Sequence, residues 1–182
     1  MSSRILTTSP DEVTVQNGAK YCLVIDFEDR SRTGKIWNEH GEVEWSYGPL
    51  RNPLQYSSRN PFNKPDFVVF DANGNPTVTI RRVSFVPSRF HILDRENVIG
   101  QIAMRSVLLN KYKIEIAGIA TCAFRMPLFT RYFHGHFNDG TGIWAVVGPG
   151  TMQWRVLLRS ELNDVRLLSS LAFIHNQWFR FG

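Results

Sequence analysis

The sequence predicts a mainly β protein: an antiparallel wall of strands closing into a barrel around one enclosed C-terminal α-helix. Three observations carry that prediction. From Val13 onward, short apolar runs alternate with turn residues, the rhythm of an all-β barrel or sandwich. Residues 67–80 and 90–102 repeat one layout, in which an apolar strand runs into an Asp and a turn and then returns. Residues 164–178 have a helical pattern without a polar face. Leu168, Leu171, Ala172 and His175 line one side, Leu167, Ser170 and Ile174 another, and Phe173 a third. A helix apolar most of the way round must be enclosed or sit in lipid. Its charge-free run, residues 167–179, falls well short of the roughly 20 residues that span a bilayer. Enclosure follows, with Leu167, Leu168, Leu171, Ala172 and Ile174 as the expected core of the helix.

Taken in order, residues 1–12 read as a polar arm and residues 13–182 as a single domain. Residues 21–27 and 35–45 read as strands. Residues 48–65 carry Pro49, Pro53, Pro61 and Pro65 and read as a long loop, pinned by Tyr56 and Phe62. In the first repeat unit Asp71 folds back on its own backbone and Asn73-Gly74 closes the hairpin. In the second, Asp94 and the pair Glu96-Asn97 take those roles. Further strands are expected at 111–116, 120–125, 131–137, 143–147 and 152–159, with Gly148-Pro149-Gly150 turning the last pair. Alternation assigns faces. Tyr112, Ile114 and Ile116 point inward, and Lys111, Lys113 and Glu115 outward. Trp154, Val156 and Leu158 share a face opposite Arg155 and Arg159. Asn163 or Asp164 caps the terminal helix.

At 182 residues the chain can bury a core without staples. Its 13% aromatic and 43% hydrophobic content is that of a folded domain. Residues 1–11 contain no apolar stretch of the kind that leads a secreted chain. Cys22 and Cys122 make no disulfide framework, so a reduced, cytoplasmic setting is expected, with peripheral membrane association as the variant. The net charge of +5 is unevenly spread. Residues 1–50 hold five Lys/Arg against eight Asp/Glu, and residues 51–182 hold sixteen against eight. That asymmetry favours an anionic partner for the later part of the chain.

The order of these units resembles the tubby C-terminal-like superfamily, which includes tubby proteins, phospholipid scramblases and plant LURP-one-related proteins. The resemblance rests on residues 67–80, on 90–116 with its Ile99-Gly100 step, and on the helix that begins Asp164-Val165-Arg166-Leu167-Leu168. It implies a twelve-stranded antiparallel barrel around a central C-terminal helix. Tubby proteins hold phosphoinositide headgroups with a basic pair just after an Ile-Gly step. Here the matching positions are Gln101 and Ala103, with Arg105 the nearby cation. The proline-rich leader and cysteine cluster of scramblases have no counterpart, so lipid scrambling is not implied. The LURP-one-like and bacterial tubby-like groups match best, and their resemblance implies no particular activity.

Chemistry-bearing motifs are few. Asp71-Ala72-Asn73-Gly74-Asn75 lacks the glycine and glutamate positions of an EF-hand and reads as a turn. His134 and His136 share a strand face and are two candidate metal ligands, but a site needs a third or fourth. No phosphate-cradling glycine loop, nucleophile elbow, CxxC or HExxH is present. The expectation is a protein that is not an enzyme and takes no cofactor. Its candidate binding surface is the basic set Arg81, Arg82, Arg89, Arg105, Lys111 and Lys113. Basic residues beside Phe85 and Pro87 suit an anionic phospholipid or membrane surface. A protein partner is the alternative, a structural or regulatory interaction domain with no lipid role. Nucleic acid is disfavoured because no recognition motif is present. A metal-dependent enzyme built on His134 and His136 ranks third.

Overall fold

A computed structural model describes residues 21–28, 33–38, 40–49, 66–85, 87–106, 111–125, 132–137, 142–147, 153–158 and 164–178. The fold is mainly β, an antiparallel sheet with one C-terminal helix. Eight strands run in sequence order across the sheet: β2 (Thr33–Trp37), β3 (Val43–Pro49), β4 (Phe67–Phe70), β5 (Pro76–Phe85), β6 (Ser88–Asp94), β7 (Asn97–Ser106), β8 (Lys111–Ile116) and β9 (Ile119–Arg125). β1 (Tyr21–Glu28) pairs with β2, while β10 (Tyr132–Phe137), β11 (Gly142–Val147) and β12 (Gln153–Leu158) continue from β9. The helix α1 spans Val165–Trp178.

Two turns depart from the sequence reading. Residues 35–45 are not one strand. Asn38 interrupts them, its side-chain oxygen accepting the backbone N–H of His40 and of Glu42 at 2.9 Å each. Gly41 takes a left-handed φ of +77° there. In the second repeat unit the left-handed residue is Arg95 (φ +55°), not the Glu96-Asn97 pair. Asp94 pairs directly with Asn97, which leaves a two-residue loop whose first position must take positive φ. The first unit closes as expected. The Asp71 carboxylate accepts the N–H of Asn73 at 2.9 Å and of Asn75 at 2.8 Å, and Gly74 supplies φ +81°. Gly48 and Pro49 finish β3 instead of opening the proline-rich loop. The rest of that loop, the arm at residues 1–12 and the side chain of Cys22 lie outside the described residues.

Strand alternation sorts the faces as expected on β8: Tyr112, Ile114 and Ile116 are buried, and Lys111 is exposed. Val156 is also buried, whereas the other side chains of β12 lie outside the described residues. The inward residues meet α1, on which every residue from Leu167 to Asn176 is buried. Leu168, Leu171, Ala172 and Ile174 reach 0% exposure and Leu167 reaches 1%. Phe173 seats edge-on against Phe67 and Phe90, with ring centroids 5.5 and 4.7 Å away. Ser169 and Ser170 are buried too, and each hydroxyl donates to a carbonyl one turn back, Val165 at 2.6 Å and Arg166 at 2.8 Å. Those bonds satisfy polar groups that enclosure would otherwise strand. Among the described residues no helix is long and apolar enough to cross a membrane.

Asp164 caps α1. Its carboxylate accepts the Arg166 N–H at 2.8 Å, and its carbonyl takes the first helical bond from Leu168 at 3.0 Å. Burial works to raise this carboxyl. The Arg166 guanidinium and backbone N–H outweigh that and hold it below the usual carboxylate value. Arg166 also reaches the Ala117 carbonyl at 2.9 Å, tying the start of the helix to the β8–β9 turn. Asp164→Ala is expected to cost about 1–2 kcal/mol in urea denaturation near neutral pH. A folded-state pKa below the unfolded one gives stability that is present above the unfolded value and fades as pH falls through the folded one. The gap between wild type and Asp164→Ala should therefore hold from neutral pH to about 5 and close below about 4.

Candidate functional site

The basic residues separate into three environments. Arg81 faces outward and is tied down: its guanidinium meets Asp66 at 2.9 Å and Glu96 at 3.4 Å. Arg82 lies one residue further along β5 and turns to the other face, where its guanidinium stacks on two rings. The carbon of that group is 4.6 Å from the Phe85 centroid and 4.7 Å from Phe90. Burial lowers its pKa, since a charge there loses water and gains only ring faces in return.

The remaining four gather on the outer face of β6, β7 and β8. Arg89 and Lys113 stand on either side of Ala103, each directly opposite it in the ladder. With strands about 4.8 Å apart, their Cα atoms are about 10 Å from one another across a residue too small to screen them. Arg105 is exposed two residues beyond Ala103, at an irregularity between Met104 and Ser106, and Lys111 lies opposite Ser106 at the end of that ladder. Arg89, Arg105 and Lys111 are exposed and make no ion pair among the described residues. Lys113 instead pairs with Glu115 along its own strand. The Lys113 ammonium, followed by the Gln101 amide at 2.5 Å, holds the Glu115 carboxyl below its ordinary value. The backbone of Arg125 lies opposite Lys111, extending the row of basic positions to β9.

The position that the tubby resemblance marks on β7 is therefore not basic itself. Ala103 is flanked by cations from the two neighbouring strands, Arg89 from β6 and Lys113 from β8. Gln101, the other marked position, donates to a carboxylate. Sequence spacing along one strand cannot reveal this, because the cations come together only through the register of three strands.

The histidine pair lies on β10, with backbone positions opposite Arg125 for His134 and Ala123 for His136; their side chains lie outside the described residues. No group of three or more metal-ligating side chains occurs among the described residues. Cys122 is buried, and burial pushes its thiol up to about 12, far from a nucleophile's range. A shallow hollow beside the basic surface is lined by His91, Val98, Gly100, Gln101, Glu115 and Thr121.

The fold has a counterpart among solved structures. An X-ray structure of a protein from Arabidopsis thaliana matches 88% of this chain and 93% of its own, with a TM-score of 0.60 at 10% sequence identity. The likeness is one of fold. No protein-family model matches the sequence, and a search of curated proteins finds no match.

Proposed function

We propose that the chain is a tubby-like barrel, closed by twelve strands around α1, that works without catalysis by docking on anionic membrane surfaces. Closure is supported by the backbone pairing of β1, which has β2 on one side and β12 on the other, Tyr21 lying opposite Leu158. The superfamily reading is supported by the helix enclosed among the strands. The observation that carries the membrane reading is the trio Arg89, Arg105 and Lys111, exposed on one sheet face around Ala103 with no ion pair among the described residues.

Cations held in that way attract lipid phosphates, each contributing about 1 kcal/mol near an anionic leaflet. Arg81 and Lys113 contribute less, because neighbouring carboxylates already take their charge. The histidine pair stays out of the proposal.

Co-sedimentation with vesicles tests this reading. Binding to phosphatidylserine-containing vesicles should exceed binding to pure phosphatidylcholine and fall steeply as salt shortens the Debye length. Replacing Arg105 and Lys111 together by Gln should weaken it by about 30-fold, the loss of two such contacts. Equal retention by neutral and acidic vesicles, or retention by neither, rejects the proposal. Capture of a defined protein partner without vesicle binding would select the interaction-domain reading instead.

A further inference from the structure

Among the described residues of β2 to β9, the two ends of the strand array differ in chemistry. One end carries the turns at 38–42, 71–75, 94–97 and 117–118, and α1 begins there, where Arg166 reaches Ala117. Glu42, Asp71, Asp94 and Glu96 lie in these turns, with Arg95 as the only Lys or Arg in the four segments. The opposite rim, where β5 meets β6 and β7 approaches β8, carries Arg89, Arg105 and Lys111 around an apolar tip. Val83 is 47% exposed, Pro87 is exposed and Phe85 is half-buried. The acids that neighbour these strands on the rim side, Asp66 just before β4 and beside Arg81, and Glu115 on β8, are both in ion pairs. Arg81 and Glu115 each lie four residues back from the rim end of their strand, about 13 Å at the rise of a strand.

The tip is also built to leave water cheaply. Ser88 Oγ donates to the Phe85 carbonyl at 3.0 Å, and Ser84 Oγ donates to the Pro87 carbonyl, so these two backbone acceptors beside the bend are met within the hairpin. An unmet carbonyl would oppose entry into an apolar layer. Arg82, stacked on Phe85, holds the ring at the base of the tip. Val43 and Val98 are exposed at the far end, but they stand beside Glu42, Glu44 and Asp94, which an anionic surface repels, while Glu96 is paired with Arg81.

We propose that the fold docks end-on, with the β5–β6 tip (Val83, Phe85 and Pro87) entering the interfacial layer of an anionic bilayer while Arg89, Arg105 and Lys111 contact lipid phosphates around it. This rests on the membrane reading above and adds an orientation to it. The polarity of the far end supports it independently of the number of cations, because a side-on approach would bring the acidic turns toward the lipid as well.

The test places a polarity-sensitive fluorophore on Pro87→Cys or on Asn73→Cys in the full chain, with wild type labelled in parallel to correct for Cys22. Cys122 is buried and takes no label in the native state. With vesicles of equal parts phosphatidylcholine and phosphatidylserine, the label at position 87 should shift to the blue and be quenched by doxyl-labelled lipid, while that at 73 should do neither. Arg89→Gln should weaken sedimentation at least fivefold and Arg95→Gln, the same change in net charge, less than twofold. Vesicle binding with the position-87 label still in water, or with the Arg89 and Arg95 variants weakened alike, overturns the end-on orientation and leaves the membrane reading standing. No binding to anionic vesicles by the unlabelled wild type overturns both.

Discussion

Leu171→Asp should leave no folded protein. Leu171 is fully buried in the middle of a helix whose every residue from Leu167 to Asn176 is covered, so the new carboxylate has no route to water. An uncompensated buried charge costs several kcal/mol even after relaxation, and the leucine's own packing, worth about 2–5 kcal/mol against alanine, is lost besides. The sum is comparable with the whole stability of a domain, about 5–15 kcal/mol. Circular dichroism and urea titration should show no cooperative transition for Leu171→Asp and a shifted but cooperative one for Leu171→Ala. A cooperatively folded Leu171→Asp protein that had merely lost vesicle binding would mean that α1 is an exposed anchor, and both the enclosed helix and the end-on orientation would fall with it.

The enclosure of α1 was legible because it needs only local information: a helical stretch with apolar residues on every side must be covered, whatever covers it. The inward and outward residues of β8 were legible for the same reason, since a period of two is written along a single strand. The Asp71 turn announced itself through a side chain that bonds its own neighbours. Asn38 uses the same chemistry, yet the strand-like run across 35–45 hid it; the Asn38–Gly41 spacing was the available signal. Arg95 gave no signal, because an arginine is a poor advertisement for positive φ, and only the direct pairing of Asp94 with Asn97 forces it there.

The candidate surface divides along the same line. That Lys111 and Lys113 face outward follows from alternation. That Lys113 is engaged by Glu115 was within reach too, since residues two apart on a strand share a face. By contrast, the engagement of Arg81 by Asp66 and the convergence of Arg89, Arg105 and Lys111 around Ala103 depend on which strands are neighbours and in what register. Register is a long-range property set by the packing of the whole sheet. A list of basic residues therefore could not say which charges remain available to a partner.

Gly100→Ala should be the most damaging single methyl added to the described sheet. A Cβ built there lies 2.4 Å from the Glu115 carbonyl oxygen, 3.1 Å from the Ile116 Cα and 3.2 Å from the Ile92 Cδ1. The first two are backbone atoms of β8, so relief requires the strands to move apart. A side chain turning aside cannot provide it. Gly100 lies opposite Ile116, and β8 is already irregular against β9 between Ile114 and Ile116, which leaves little slack on that side. Overpacking usually costs about 1–3 kcal/mol; a clash with the β8 backbone on one side and the Ile92 side chain on the other belongs at or above the top of that range, and Gly100→Val beyond it. Gly118→Ala is the matched control. Gly118 has φ +79° with nothing within 4 Å of an added Cβ, so it should lose only the about 1–2 kcal/mol of a left-handed alanine. Urea midpoints at constant slope separate the two cases. If Gly100→Ala costs no more than Gly118→Ala, β7 and β8 are further apart than described here. The Ala103–Lys113 juxtaposition that gathers the basic surface would then lose its basis, because the same strand pair that crowds Gly100 carries both residues.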